Sequence, residues 1–178
     1  MPVMSAASAF IDKQSSSTQI GIVAFSSFGE IIQAPTTDQE ALQNAIESLM
    51  LGRRTAIGSG ILESIDAIAQ VDKNIPPSLS DSSTGAEPTP VPKGDYAPDI
   101  IVLLTDGVSN AGPSPLDAAQ QAADRGVRIY TIGFGTEAGG DFSVCDMRFR
   151  GNERLGSNGQ FGGGFSLVKS TDMTSSPH

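Results

Sequence analysis

Apolar positions recur along this chain with two periods, and the alternation between them lays out a fold. Val3, Met4, Ala7, Phe10 and Ile11 return at helical spacing, which predicts a helix over residues 2–14. Gln19 to Phe25 carries Ile20, Ile22, Val23 and Phe25 and predicts a buried strand. Glu30 to Ala34 predicts a short second strand, antiparallel to the first because the Ser26-Ser27 connection is so tight. Thr37-Asp38-Gln39-Glu40 has the capping-box pattern with Thr37 as the cap. Leu42, Ile46, Leu49 and Met50 then form one apolar helix face. After the loop Gly52-Arg53-Arg54-Thr55, Ile57, Ile61, Ile65 and Ile68 line one side of a third helix.

The second half opens with Ile100-Ile101-Val102-Leu103-Leu104-Thr105-Asp106-Gly107. An unbroken apolar run of this kind predicts a strand buried on both faces. It ends in an acid, and α/β folds place ligands at the carboxyl ends of such strands. Ser114-Pro115 starts a helix, with Ser114 as cap and proline in the first turn, and Gly126 ends it. Arg128 to Phe134 is a further strand.

The order is helix, strand, strand, helix, helix, loop, strand, helix, strand. It predicts an α/β fold: a doubly wound, Rossmann-like, mostly parallel sheet with helices on both faces. The domain spans residues 1–135. Within it, residues 74–98 form a proline-rich insertion, six of whose 25 positions are proline, expected to be exposed and mobile. Residues 136–178 are expected to be a glycine-rich, poorly structured C-terminal segment.

Composition narrows the function. The formal charge of −9 argues against nucleic acid, because phosphate binding relies on Lys and Arg. No run approaches the roughly 18 apolar residues of a membrane helix, and residues 1–18 lack the pattern of a signal peptide. A compartment is not legible. The lone Cys145 lacks a nearby His or second Cys, so it supports neither a zinc site nor a thiol nucleophile. His178 is terminal and without a partner. Gly133, Gly135, Gly139 and Gly140 follow a strand but form no phosphate loop, and no GxxxxGK[ST] motif occurs.

Five short motifs stand in one order: Ile22-Val23-Ala24-Phe25-Ser26, Pro35-Thr36-Thr37-Asp38, Arg54-Thr55-Ala56-Ile57-Gly58, Leu104-Thr105-Asp106-Gly107 and Ile129-Tyr130-Thr131-Ile132-Gly133. In this they resemble a bacterial-type von Willebrand factor type A domain over roughly residues 2–135. The resemblance implies a metal-ion-dependent adhesion site for Mg²⁺ or Mn²⁺ at the carboxyl ends of the strands, built from three loops. It implies Thr55 and Asp106 as metal ligands, no catalytic residues, and a protein partner engaged through an acidic side chain. Hard oxygen ligands suit Mg²⁺, which keeps some waters and leaves a position for such a carboxylate.

The family's Asp-x-Ser-x-Ser motif is absent. By the family pattern it would lie on a first strand just upstream of Met1. The expectation is therefore a domain truncated at both ends, with the central first strand missing. The strands at 19–25 and 100–105 would then have to close up, or accept a strand from another chain in a strand-donating self-association. In that case no metal need bind to this chain.

Plainer readings stand beside these. Asp106 would serve as a turn-capping residue, Thr55 as the N-cap of the helix from Ala56, and Ser26 and Ser27 as turn residues. Two other functions are open: a non-functional or purely structural fragment, and a phosphate-handling hydrolase using Asp106. The hydrolase needs a second acid two positions on, where this chain has Val108.

Overall fold

A computed structural model describes residues 2–49, 54–79, 89–92, 94–105, 108–133 and 164–170. Helix α1 (Pro2–Asp12) leads into β1 (Gln19–Phe25) and β2 (Gly29–Thr36). Helices α2 (Gln39–Glu47) and α3 (Ile57–Val71) follow. Then come β3 (Ile100–Thr105), α4 (Pro115–Asp124), β4 (Arg128–Gly133) and β5 (Gly164–Ser170).

Apolar periodicity located these elements well, because each has a face to bury. Helix α2 starts one residue later than the capping box implied. Asp38, not Thr37, is the N-cap and accepts a hydrogen bond from the Ala41 N–H at 3.1 Å. Ser114 caps α4 by accepting from the Asp117 N–H, with Pro115 at the first helical position. Gly126 reverses the chain after α4 with φ of +72°, a conformation that excludes most side chains.

The five strands form one sheet in the order β2-β1-β5-β3-β4. The α/β class holds, with helices on both faces, but two expectations about the sheet are corrected. The expected mostly parallel pairing is not found: only β3 and β4 pair in parallel, while β1–β2, β1–β5 and β3–β5 are antiparallel. Nor is there a gap between β1 and β3. The flanking strands neither close up on each other nor wait for another chain, because β5 fills the slot from within the same chain. Ser166 pairs with Val23 on one side and Leu103 on the other. β5 lies in the segment expected to be poorly structured; the rest of residues 136–178 is outside the described residues.

Two cores lie on opposite faces. On one, Ala7 and Ile11 of α1 and Leu42 and Ile46 of α2 meet Ile20, Ile22, Val102, Leu104 and Leu167. On the other, Ile61, Ile65 and Ile68 of α3 and Ala118 and Ala122 of α4 meet Val23, Phe25, Ile101, Leu103 and Val168. β5 contributes to both, Leu167 to the first and Val168 to the second, as a strand's two-residue period requires. Its buried Ser166 would be costly without a partner. The hydroxyl of Ser64 on α3 lies 2.5 Å away, and Ser64 also donates to the Gly60 carbonyl at 2.6 Å.

The flanks of the proline-rich insertion are mostly exposed yet tied down. Arg125, almost fully buried, donates to the carbonyls of Pro76 (2.8 Å), Pro77 (2.6 Å) and Gln121 (2.7 Å). Ser78 bonds the Asp66 carboxylate through its N–H and its hydroxyl. Residues 80–88 lie outside the described residues. Among the described residues, no helix is long and apolar enough to cross a membrane.

Candidate functional site

β1 and β3 both run antiparallel to β5, so their carboxyl ends lie at the same end of the sheet. The β1–β2 turn emerges there, with Ser26 donating its N–H to the Phe28 carbonyl at 3.1 Å. α3 and α4 begin there too, each entered from a loop. Close packing holds this end together. A Cβ on Gly112, whose φ is +73°, would come within 2.6 Å of the Ser59 hydroxyl on α3.

Thr55 sits at this end, immediately before α3, and is fully buried. It is not the helix cap. That position falls to Ala56, which makes no side-chain cap bond. Among the described residues the Thr55 hydroxyl has no hydrogen-bond partner. Its backbone, by contrast, is fully engaged. The Thr55 N–H donates to Asn110 Oδ1 at 2.9 Å, and the Thr55 carbonyl accepts from the Asn110 N–H at 2.9 Å. The same carbonyl accepts from the Ser109 hydroxyl at 3.2 Å and from the Ala111 N–H at 3.3 Å. Ser109 Oγ in turn accepts from the Ile57 N–H at 3.3 Å.

The loop after β3 thus grips the loop before α3, using residues 109–111. Asp106 lies outside the described residues. In sequence it directly follows the last residue of β3 and precedes this grip by three positions. Ser109 and Asn110 were not singled out by sequence reasoning. The available signal was two short polar side chains just past the Asp-Gly, of the kinds that readily bond backbone groups.

An orphaned buried hydroxyl is uncommon, because leaving it unmade costs about 1–3 kcal/mol. A divalent cation is one species that would satisfy it. Among the described residues no group of three or more His, Cys, Asp or Glu could hold a metal. The described part of the end therefore offers a neutral oxygen without a hydrogen-bond partner, and Asp106 follows β3 directly in sequence. This end also exposes large apolar side chains. The three most exposed large apolar side chains of the described residues are Leu116 (81%), Val108 (76%) and Phe28 (64%). They come from the start of α4, the loop after β3 and the β1–β2 turn, all at this end.

A second unusual group lies at the other end of β3. Asp99 is fully buried, and among the described residues neither of its carboxyl oxygens makes a well-formed hydrogen bond. Burial is the main force pushing its pKa up to about 6. The nearby Ser170 hydroxyl pulls the other way, and the Asp72 carboxyl adds to the rise.

A sheet covered on both faces by helices, with a buried threonine just before α3 at the carboxyl ends of β1 and β3, defines an α/β domain. Residues 3–143 match the von Willebrand factor type A domain, and the chain belongs to that family. It is 34% identical over 140 residues to a UPF0353 protein of Mycolicibacterium vanbaalenii, covering 75% of this chain and 37% of that protein. A UPF0353 protein of a Mycobacterium species is 35% identical over 136 residues, covering 73% of this chain and 36% of that protein. The chain thus spans little more than a third of the length of these relatives. Among solved structures, proximal thread matrix protein 1 from the mussel byssus, with a zinc-occupied MIDAS motif, superposes with a TM-score of 0.52 at 21% identity. That comparison covers 75% of this chain and 32% of the mussel chain and shows a shared fold.

Proposed function

We propose that this chain is a protein-binding module whose carboxyl-end face engages a partner through a divalent cation, Mg²⁺ or Mn²⁺, and that it is not an enzyme. The observation that carries the reading is the buried Thr55 hydroxyl, without a hydrogen bond among the described residues while every other polar group of that residue is held. Thr55 and Asp106 are the residues that would hold the cation. When bound, it would supply a positive centre for an acidic side chain of the partner. Phe28, Val108 and Leu116 would supply the apolar contact around it, since exposed apolar side chains gathered at one face favour protein contact.

A hydrolase reading gains nothing from the fold, because the position two residues after Asp106 is an exposed valine. The test is thermal melting with increasing Mg²⁺ or Mn²⁺, on the native sequence and on Thr55→Val and Asp106→Asn. Ligation that stabilises the fold raises the melting temperature with metal concentration, by about 2.7 kcal/mol of stability at a hundred times Kd. Both variants should lose that rise. A melting temperature indifferent to metal in all three proteins overturns the cation reading and favours a purely structural role.

A further inference from the structure

The sheet is completed by its last strand. β5 is central, yet it is joined to the rest by a connection far longer than the gap it bridges. Gly133, the end of β4, and Gly164, the start of β5, pair with the same residue, Thr105, from opposite sides. Two strand spacings separate them, about 10 Å. Residues 134–163, thirty in all, make the connection. A chain of that length reaches up to about 100 Å when extended.

Nothing in the connection's length therefore ties β5 to the slot of its own chain. The slot itself is well defined. It offers ladder partners from Gln19 to Phe25 on one side and from Ile100 to Thr105 on the other. It also offers an apolar seat for Leu167 and Val168 on its two faces and the Ser64 hydroxyl for Ser166. A second copy of the chain presents the same slot, with every one of these contacts reproduced.

We propose that β5 exchanges between copies, giving a dimer in which each sheet is completed by its partner's residues 164–170. The contacts within each sheet are the same in both forms, so the balance is set by chain entropy and concentration. A long connection holds β5 near its own slot at an effective concentration on the order of 1 mM, so the closed monomer dominates below that. Once formed, either state persists. Releasing β5 breaks ladders with two neighbours and exposes both cores, which amounts to global unfolding. This proposal rests on the strand order and the length of the connection and stands whether or not a cation binds.

The experiment refolds the full chain from denaturant at about 5 μM, far below the expected effective value, and at about 1 mM, close to it. Both samples are then diluted and sized by chromatography with light scattering. The low-concentration sample should be monomeric. The high-concentration sample should contain a dimer that survives dilution. Refolding together with a copy carrying a large tag should give mixed dimers, whereas mixing the two native proteins should not. Monomer alone from both refolding conditions overturns the proposal. So do dimers that exchange on simple mixing, or that vanish in Tyr130→Lys with Ile132→Lys, because association would then run through the exposed edge strand β4.

Discussion

Thr55 and Asn110 exchange two hydrogen bonds of 2.9 Å, the Thr55 N–H to the Asn110 side chain and the Asn110 N–H to the Thr55 carbonyl. The pair fixes the threonine backbone, while among the described residues its hydroxyl has no partner. Asn110→Ala removes the acceptor of a buried N–H and should cost about 1–3 kcal/mol in urea unfolding. It should also flatten the metal-dependent rise in melting temperature, since Thr55 would no longer be held. A variant that is destabilised but keeps the full metal response would show that Asn110 braces the loop without aiming the hydroxyl.

Thr55→Val gives effects of opposite sign with and without metal. The replacement keeps the shape and removes a buried hydroxyl that makes no bond among the described residues. In chelator it should melt at the same temperature as the native chain or up to a few degrees higher, because an unsatisfied polar group is lost. In excess Mg²⁺ it should melt lower, having lost the ligand. If the variant is less stable by the same amount in both conditions, the hydroxyl has a structural partner and the cation reading fails.

Asp99 gives a pH signature. Its carboxyl is neutral in the fold up to about 6 but ionises near its ordinary 3.8 in the unfolded chain. Between those values the folded chain holds more protons, so this group makes stability fall as pH rises through the window, and it stays lower above. Asp99→Asn removes the dependence. At pH 7.5 it should be more stable than the native chain by about 1–3 kcal/mol, with the difference vanishing near pH 4. A gap between the two proteins that does not change with pH would contradict this.

Leu167→Ala probes the strand that completes the sheet. A fully buried leucine truncated to alanine costs about 2–5 kcal/mol, and Leu167 is fully buried in the first core. Leu116→Ala, at 81% exposure, serves as the control and should change stability by less than about 0.5 kcal/mol. Equal, small effects at both positions would place residues 164–170 outside the sheet.

Most of the fold was legible because its elements bury one kind of residue at one period. The run Ile100–Leu104 could only be an interior strand, and the isoleucines of α3 could only be one helix face. β5 escaped for a physical reason. A strand buried on both faces usually shows as a continuous apolar run, but Gly164-Phe165-Ser166-Leu167-Val168-Lys169-Ser170 alternates with polar residues. Ser166 is tolerated inside because Ser64, 102 residues away, meets it, and no local pattern records that partner. With β5 unseen, the antiparallel character of the sheet centre was unseen too. At the candidate site, family resemblance pointed to Thr55, and the fold puts that residue at the carboxyl ends of the strands. Asn110 had no such pointer, since its importance comes from a partner 55 residues distant. The helix-cap reading of Thr55 was chemically sound and failed only because α3 starts one residue too late for it.

The position of β5 also bears on how the chain is made. Residue 19 pairs with residue 170, so the sheet has two halves, β2-β1 and β3-β4, with no ladder between them until β5 arrives. As the chain leaves the ribosome, each half can form as it emerges, but each keeps one open edge facing the vacant slot. Contacts so distant in sequence form slowly, because the loop they close must be ordered first. Until β5 has been made, the nascent chain therefore carries two unpaired edges facing the slot, the exposure that chaperones guard against. The two halves become one continuous sheet only after residue 170 has left the exit tunnel.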